Sequence, residues 1–139
     1  MVKQSLLALA LVSLAACGGD SSPDDSSAHA YQMAVDAADA KRAEAISLAP
    51  PSPCNAVQQC ANLTFVLPEG HCSALSYRPY SLAAPTADAA SAAAADERAL
   101  ANHAVAIAPP PPTACAAAIT LPPDLACVAN TCQVAAPAR

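Results

Sequence analysis

Six cysteines between residues 54 and 139 carry the clearest chemistry of this 139-residue chain: Cys54, Cys60, Cys72, Cys115, Cys127 and Cys132. They fall in two groups, Cys54-x5-Cys60-x11-Cys72 and Cys115-x11-Cys127-x4-Cys132. An even count in a small exported chain reads as three disulfides, and six cysteines allow 15 pairings. Cys72–Cys115 is the expected pair that closes a βα unit, tying the turn after the first strand to the segment after a helix. Cys54 and Cys60 then pair with each other or with Cys127 and Cys132. A metal site is the weaker reading. There is no C-x-x-C pair, His71 is the only histidine beside a cysteine, and oxidation removes the thiolates that zinc needs. No metal and no cofactor is expected.

The remaining reactive side chains are sparse. There is no G-x-S-x-G, no H-E-x-x-H and no glycine-rich phosphate loop, since the chain has only Gly18, Gly19 and Gly70. His71 and Glu69 could form an acid–base pair, but both read more simply as solvated turn residues. His103 and the doublet Asp96-Glu97 read as the solvated face of a helix. Pro109 to Pro112 reads as a short polyproline spacer, and Asn62-Leu63-Thr64 matches a eukaryotic glycosylation acceptor. Tyr77-Arg78-Pro79-Tyr80 is the densest aromatic and cationic cluster. Tyrosine and arginine are enriched where binding energy concentrates, so Tyr77, Arg78 and Tyr80 form the candidate binding surface, against the alternative that Tyr77 packs in the core. No catalytic residue is assigned, and the chain is not expected to be an enzyme.

At the N-terminus, Met1 to Gln4 carries one positive charge, residues 5–14 (SLLALALVSL) are apolar, and Ala15-Ala16 precede Cys17. The apolar run is too short to span a bilayer, which takes about 20 residues. Leu14-Ala15-Ala16-Cys17 resembles the lipobox of bacterial lipoprotein signals. The resemblance implies cleavage before Cys17, a diacylglyceryl thioether on its sulfur and an acylated amine. Gly18, where inner-membrane members carry Asp, implies the outer membrane of a Gram-negative cell. Two or three acyl chains anchor far more firmly than one. The alternative is a plain secretory signal in which Cys17 is coincidental.

Removing residues 1–16 leaves 123 residues with five basic and 11 acidic side chains. This balance argues against nucleic acid as a partner. Residues 17–27 comprise the lipidated cysteine and a small, acidic, flexible tether. Residues 28–53 read as an alanine-rich helix, capped by Ser27 and stopped by Pro50-Pro51, followed by a proline-rich linker. Its thin apolar stripe (Tyr31, Val35, Ala38) leaves open whether it docks or stands alone.

Residues 54–139 form the cysteine-rich body. Ala61 to Leu67 alternates as a strand, with Leu63, Phe65 and Leu67 on one face. Pro68-Glu69-Gly70 is a turn. Residues 74–82 form a second strand, at an edge because Pro79 cannot donate to a ladder. Residues 86–107 form the main helix, capped by Thr86, with Leu100, Ala104 and Ile107 on its buried face. Residues 116–121 are a third strand, and Val128 to Thr131 is a hairpin tip in which Asn130 tolerates positive φ. The fold class is α+β: a small disulfide-stabilised antiparallel sheet, about β-β-α-β-β, covered by one alanine-rich helix and preceded by the tether and a short helix. With four aromatic residues and no tryptophan, the core is thin and the cross-links should supply much of the stability. The layout is similar to uncharacterised small cysteine-rich secreted proteins of proteobacteria, a resemblance that implies no activity.

The function expected from these features is a membrane-anchored extracytoplasmic lipoprotein acting as a non-enzymatic binding or structural module. Its partners are the membrane, through the lipid, and an envelope protein. The alternatives are an anchored inhibitor of an envelope or extracellular hydrolase, and a small hydrolase or redox protein. The last of these needs a labile cysteine pair that the spacings do not provide.

Overall fold

The computed structural model describes residues 23–69, 72–109, 115 and 120–136. The lipobox with Cys17, the tether up to residue 22, His71, Pro110 to Pro112 and most of the expected third strand lie outside the described residues.

Helix α1 runs Pro23–Leu48 and helix α2 runs Ala87–Ile107. Strands β1 (Cys60–Glu69) and β2 (Cys72–Ser81) form one antiparallel ladder; β3 (Leu125–Val128) and β4 (Thr131–Val134) form another. The body is therefore β-β-α-β-β, an α+β fold with three disulfides, and its sheet is divided into two ladders of two strands. The segment between α1 and β1 stitches these ladders together. Ser81 N–H donates to the Pro50 carbonyl (3.0 Å), Cys132 N–H to the Pro51 carbonyl (2.8 Å) and Cys54 N–H to the Asn130 carbonyl (3.1 Å).

Several boundaries depart from the sequence expectation for physical reasons. Helix α1 starts at Pro23 rather than after Ser27, inside the expected tether. Proline suits a first helical turn, because the N–H it lacks would have no partner there. Pro68 and Glu69 pair with Ser73 and Cys72, so they extend β1 instead of forming the turn. Thr120 and Leu121 are not in a strand. The β3–β4 tip does turn where expected, with Ala129 (φ 49°) and Asn130 (φ 61°) in the left-handed region. Positive φ at two successive residues matches the right-handed twist of the strands they join.

α1 docks, and it does so through alanines. Ala38 and Ala45 on α1, Ala49 just past its end, and Ala90, Ala94, Ala101 and Ala104 on α2 are buried. Their spacing of three, four or seven residues makes one stripe on each helix. Side chains this small let the helix backbones approach closely. Beneath them, Leu63 and Phe65 of β1 and Tyr80 of β2 join Ala45, Ala49, Ala87, Ala90, Ala93 and Ala94 in the main cluster. Leu100 and Ile107, expected on the buried face of α2, are only half-buried at its margin. Among the described residues, no helix is long and apolar enough to cross a membrane.

Candidate functional site

Two clusters of polar side chains converge with defined geometry. The first interrupts the alanine stripe. Where α1 would place another alanine it carries Arg42, and opposite it α2 carries Glu97, which has 0% of its surface exposed. Arg42 Nη2 donates to Glu97 Oε1 (3.0 Å) and to the Val66 carbonyl (3.3 Å). The Val66 N–H donates to Glu97 Oε2 (3.2 Å), and Arg98 Nη1 donates to the Thr64 carbonyl (3.2 Å). Among the described residues β1 pairs with β2 alone, so alternate residues turn their peptide groups away from the ladder. At Thr64 and Val66 those groups are met by side chains from both helices. Glu97 and the two arginines stand where a third strand would, which satisfies and blocks an edge that would otherwise recruit another strand.

Burial pushes the Glu97 carboxyl above its ordinary range, opposed by the Arg42 guanidinium and the Val66 N–H. The expectation that Asp96-Glu97 forms a solvated face is thus corrected: Asp96 is exposed, but Glu97 is buried. A carboxylate closed off in this way can order a strand edge and join two helices. It has no open side from which to meet a substrate.

The second cluster lies on the other face of the β1–β2 hairpin. Tyr77 Oη donates to the Thr120 carbonyl (2.8 Å) and Asn62 Nδ2 donates to the Pro123 carbonyl (3.1 Å). The Ala135 N–H donates to the Asp124 carbonyl (2.8 Å). The first two bonds hold the segment Thr120-Leu121-Pro122-Pro123-Asp124 against the hairpin, and the third continues the β3–β4 pairing. Disulfides at Cys115 and Cys127 bracket the segment. Leu121 is 75% exposed, more than any other large apolar side chain among the described residues.

The expected binding surface does not form as one patch. Tyr77 is half-buried and holds the loop. Arg78 is exposed, and Tyr80, at 5% exposure, belongs to the core. Alternation explains this, since Tyr77 and Tyr80 are an odd number of residues apart and point to opposite faces. Glu69 is exposed at the end of β1 and His103 is exposed on α2. The disulfides are Cys54–Cys127, Cys60–Cys132 and Cys72–Cys115. The sulfurs of Cys54, Cys60 and Cys132 lie within 4.8 Å of one another, but each is consumed in a disulfide and none is available as a thiolate ligand.

Sequence reasoning missed Asn62 and Thr120 to Asp124. The available signal is the doublet Pro122-Pro123 between two cysteines, which fixes φ over two residues. No protein-family model, curated protein or solved structure matches this chain.

Proposed function

We propose that the protein is a lipid-anchored extracytoplasmic lipoprotein of the outer membrane, acting as a non-enzymatic binding module. The observation that carries the export reading is the set of three disulfides. Cross-links of this density belong to an oxidising compartment and to small domains with thin cores. Leu14-Ala15-Ala16-Cys17 supports the anchor. The pinned loop at Thr120–Asp124, with an apolar side chain held out, supports binding over catalysis. It also favours, as the second reading, an anchored inhibitor of an extracytoplasmic hydrolase.

The test of anchoring is Cys17→Ser. The variant should shift from the membrane fraction to the soluble envelope fraction, or remain uncleaved. If it still sediments with membranes at mature length, Cys17 is not the anchor.

A further inference from the structure

We infer that the loop Thr120-Leu121-Pro122-Pro123-Asp124 is the contact surface for an endopeptidase with an apolar primary pocket, and that Leu121 is the side chain that fills it. This rests on the binding-module reading above and names the site and its partner.

A peptidase cleft accepts an extended, convex segment with one side chain projecting into a pocket. A flexible segment loses affinity because it must be ordered on binding, and prior rigidity removes that cost. Here the order is built in. Pro122 and Pro123 each fix φ near −65°. The carbonyls of Thr120 and Pro123, either side of the tip, already accept hydrogen bonds from Tyr77 and Asn62. The Asp124 carbonyl is tied to Ala135. Cys115 is linked to Cys72 and Cys127 to Cys54, so both flanks are covalently joined to the body.

The bonds to Thr120 and Pro123 draw their carbonyls toward the hairpin, while Leu121, Pro122 and Asp124 are exposed. Leu121 is the most exposed large apolar residue of a segment that these bonds hold to the body. Seating the Leu121 side chain in an apolar pocket would remove its area from water. The Leu121–Pro122 bond is also a tertiary amide. It lacks the N–H of an ordinary scissile bond, so a peptidase that seats Leu121 before this bond holds a poor substrate.

The test measures inhibition of two endopeptidases of different fold that seat an apolar side chain before the scissile bond: chymotrypsin and subtilisin. The probe is the protein purified as expressed. The expected result is competitive inhibition of at least one of them at micromolar protein, with the Leu121–Pro122 bond intact by mass spectrometry. Leu121→Ala should raise the inhibition constant about tenfold or more, as loss of most of a leucine's burial requires. Tyr77→Phe, which removes the hydroxyl that holds the Thr120 carbonyl, should raise it by a smaller factor. Leu75→Ala, an exposed apolar change on the β1–β2 hairpin, should leave it unchanged. The melting temperature of Leu121→Ala should match that of the parent, which separates lost binding from lost folding.

Three results overturn the assignment: no inhibition of either enzyme, equal inhibition by Leu121→Ala, or rapid cleavage within 120–124. None of these bears on whether Cys17 anchors the chain, which is read by fractionation alone.

Discussion

Glu97 is a carboxylate with no exposed surface, held by one guanidinium and one peptide N–H. Its raised pKa, caused first by burial, has a definite consequence for stability. The folded state binds this proton more tightly than the unfolded chain does. The group's contribution is therefore fully present below its ordinary value of 4.5 and is lost as pH rises through the higher folded value. In urea unfolding followed from pH 4 to pH 7, Glu97→Gln should remove this loss, so the stability of the variant relative to the parent should rise with pH. A difference that is flat across that range would show that Glu97 is not strained by its burial. Glu97→Ala tests a different property. It leaves the Val66 N–H without its acceptor and Arg42 with Asp39 as its remaining carboxylate partner, and should cost about 2 kcal/mol, as an orphaned buried donor does. The residue was visible in the sequence, but its role was not. Half of an adjacent acidic pair is buried only because α1 brings Arg42 across from it, and no local pattern announces a partner 55 residues away.

The helices show why alanine misleads a reading based on large side chains. On α1 the thin stripe of Tyr31, Val35 and Ala38 leaves open whether the helix docks. The surface that docks is Ala38, Ala45 and Ala49, completed by Arg42. Alanine contributes little area per residue, so the interface depends on close approach. A larger side chain within the stripe must push the helices apart. Ala38→Leu and Ala90→Leu should each destabilise the protein by about 1–3 kcal/mol, the usual cost of overpacking. Ala40→Leu, on the exposed face of α1, should stay within about 0.5 kcal/mol of the parent. If Ala38→Leu melts like Ala40→Leu, then α1 does not pack as described. The strands were more legible, because alternation over Leu63 and Phe65 is a period-2 signal with large residues behind it. Their ends were misjudged at Pro68, since a proline at the solvent edge of a two-stranded ladder has no hydrogen bond to lose. The separation into two ladders could not be read locally. It follows from chain segment 50–54, which lies between β2 and β4 and bonds to Ser81 and Cys132.

Across the molecule, cross-links replace the core that the composition does not provide. Cys72–Cys115, expected from the βα order, is present, and Cys54 and Cys60 pair with the late cysteines rather than with each other. The pairing has an energetic consequence that a simple count of three disulfides hides. Cys54–Cys127 and Cys60–Cys132 span 73 and 72 residues and close nearly the same loop. With one in place, the other closes only the short ring made by the residues between Cys54 and Cys60 and between Cys127 and Cys132. In the chain-entropy view, a ring of about 11 residues is worth about 3 kcal/mol and a loop of about 73 about 4.5. Replacing either pair by serines should therefore cost about 3 kcal/mol, because its neighbour still holds the long loop closed. Replacing both should cost about 7, more than the two single losses together. Cys72–Cys115 spans 43 residues and lies outside the short ring, so its removal should add independently to either single loss. Urea unfolding of the single, double and combined pair variants measures each value. Strict additivity between the two long-range pairs, or a fully reduced protein that unfolds at the urea concentration of the oxidised one, would mean that burial rather than covalent closure holds this fold.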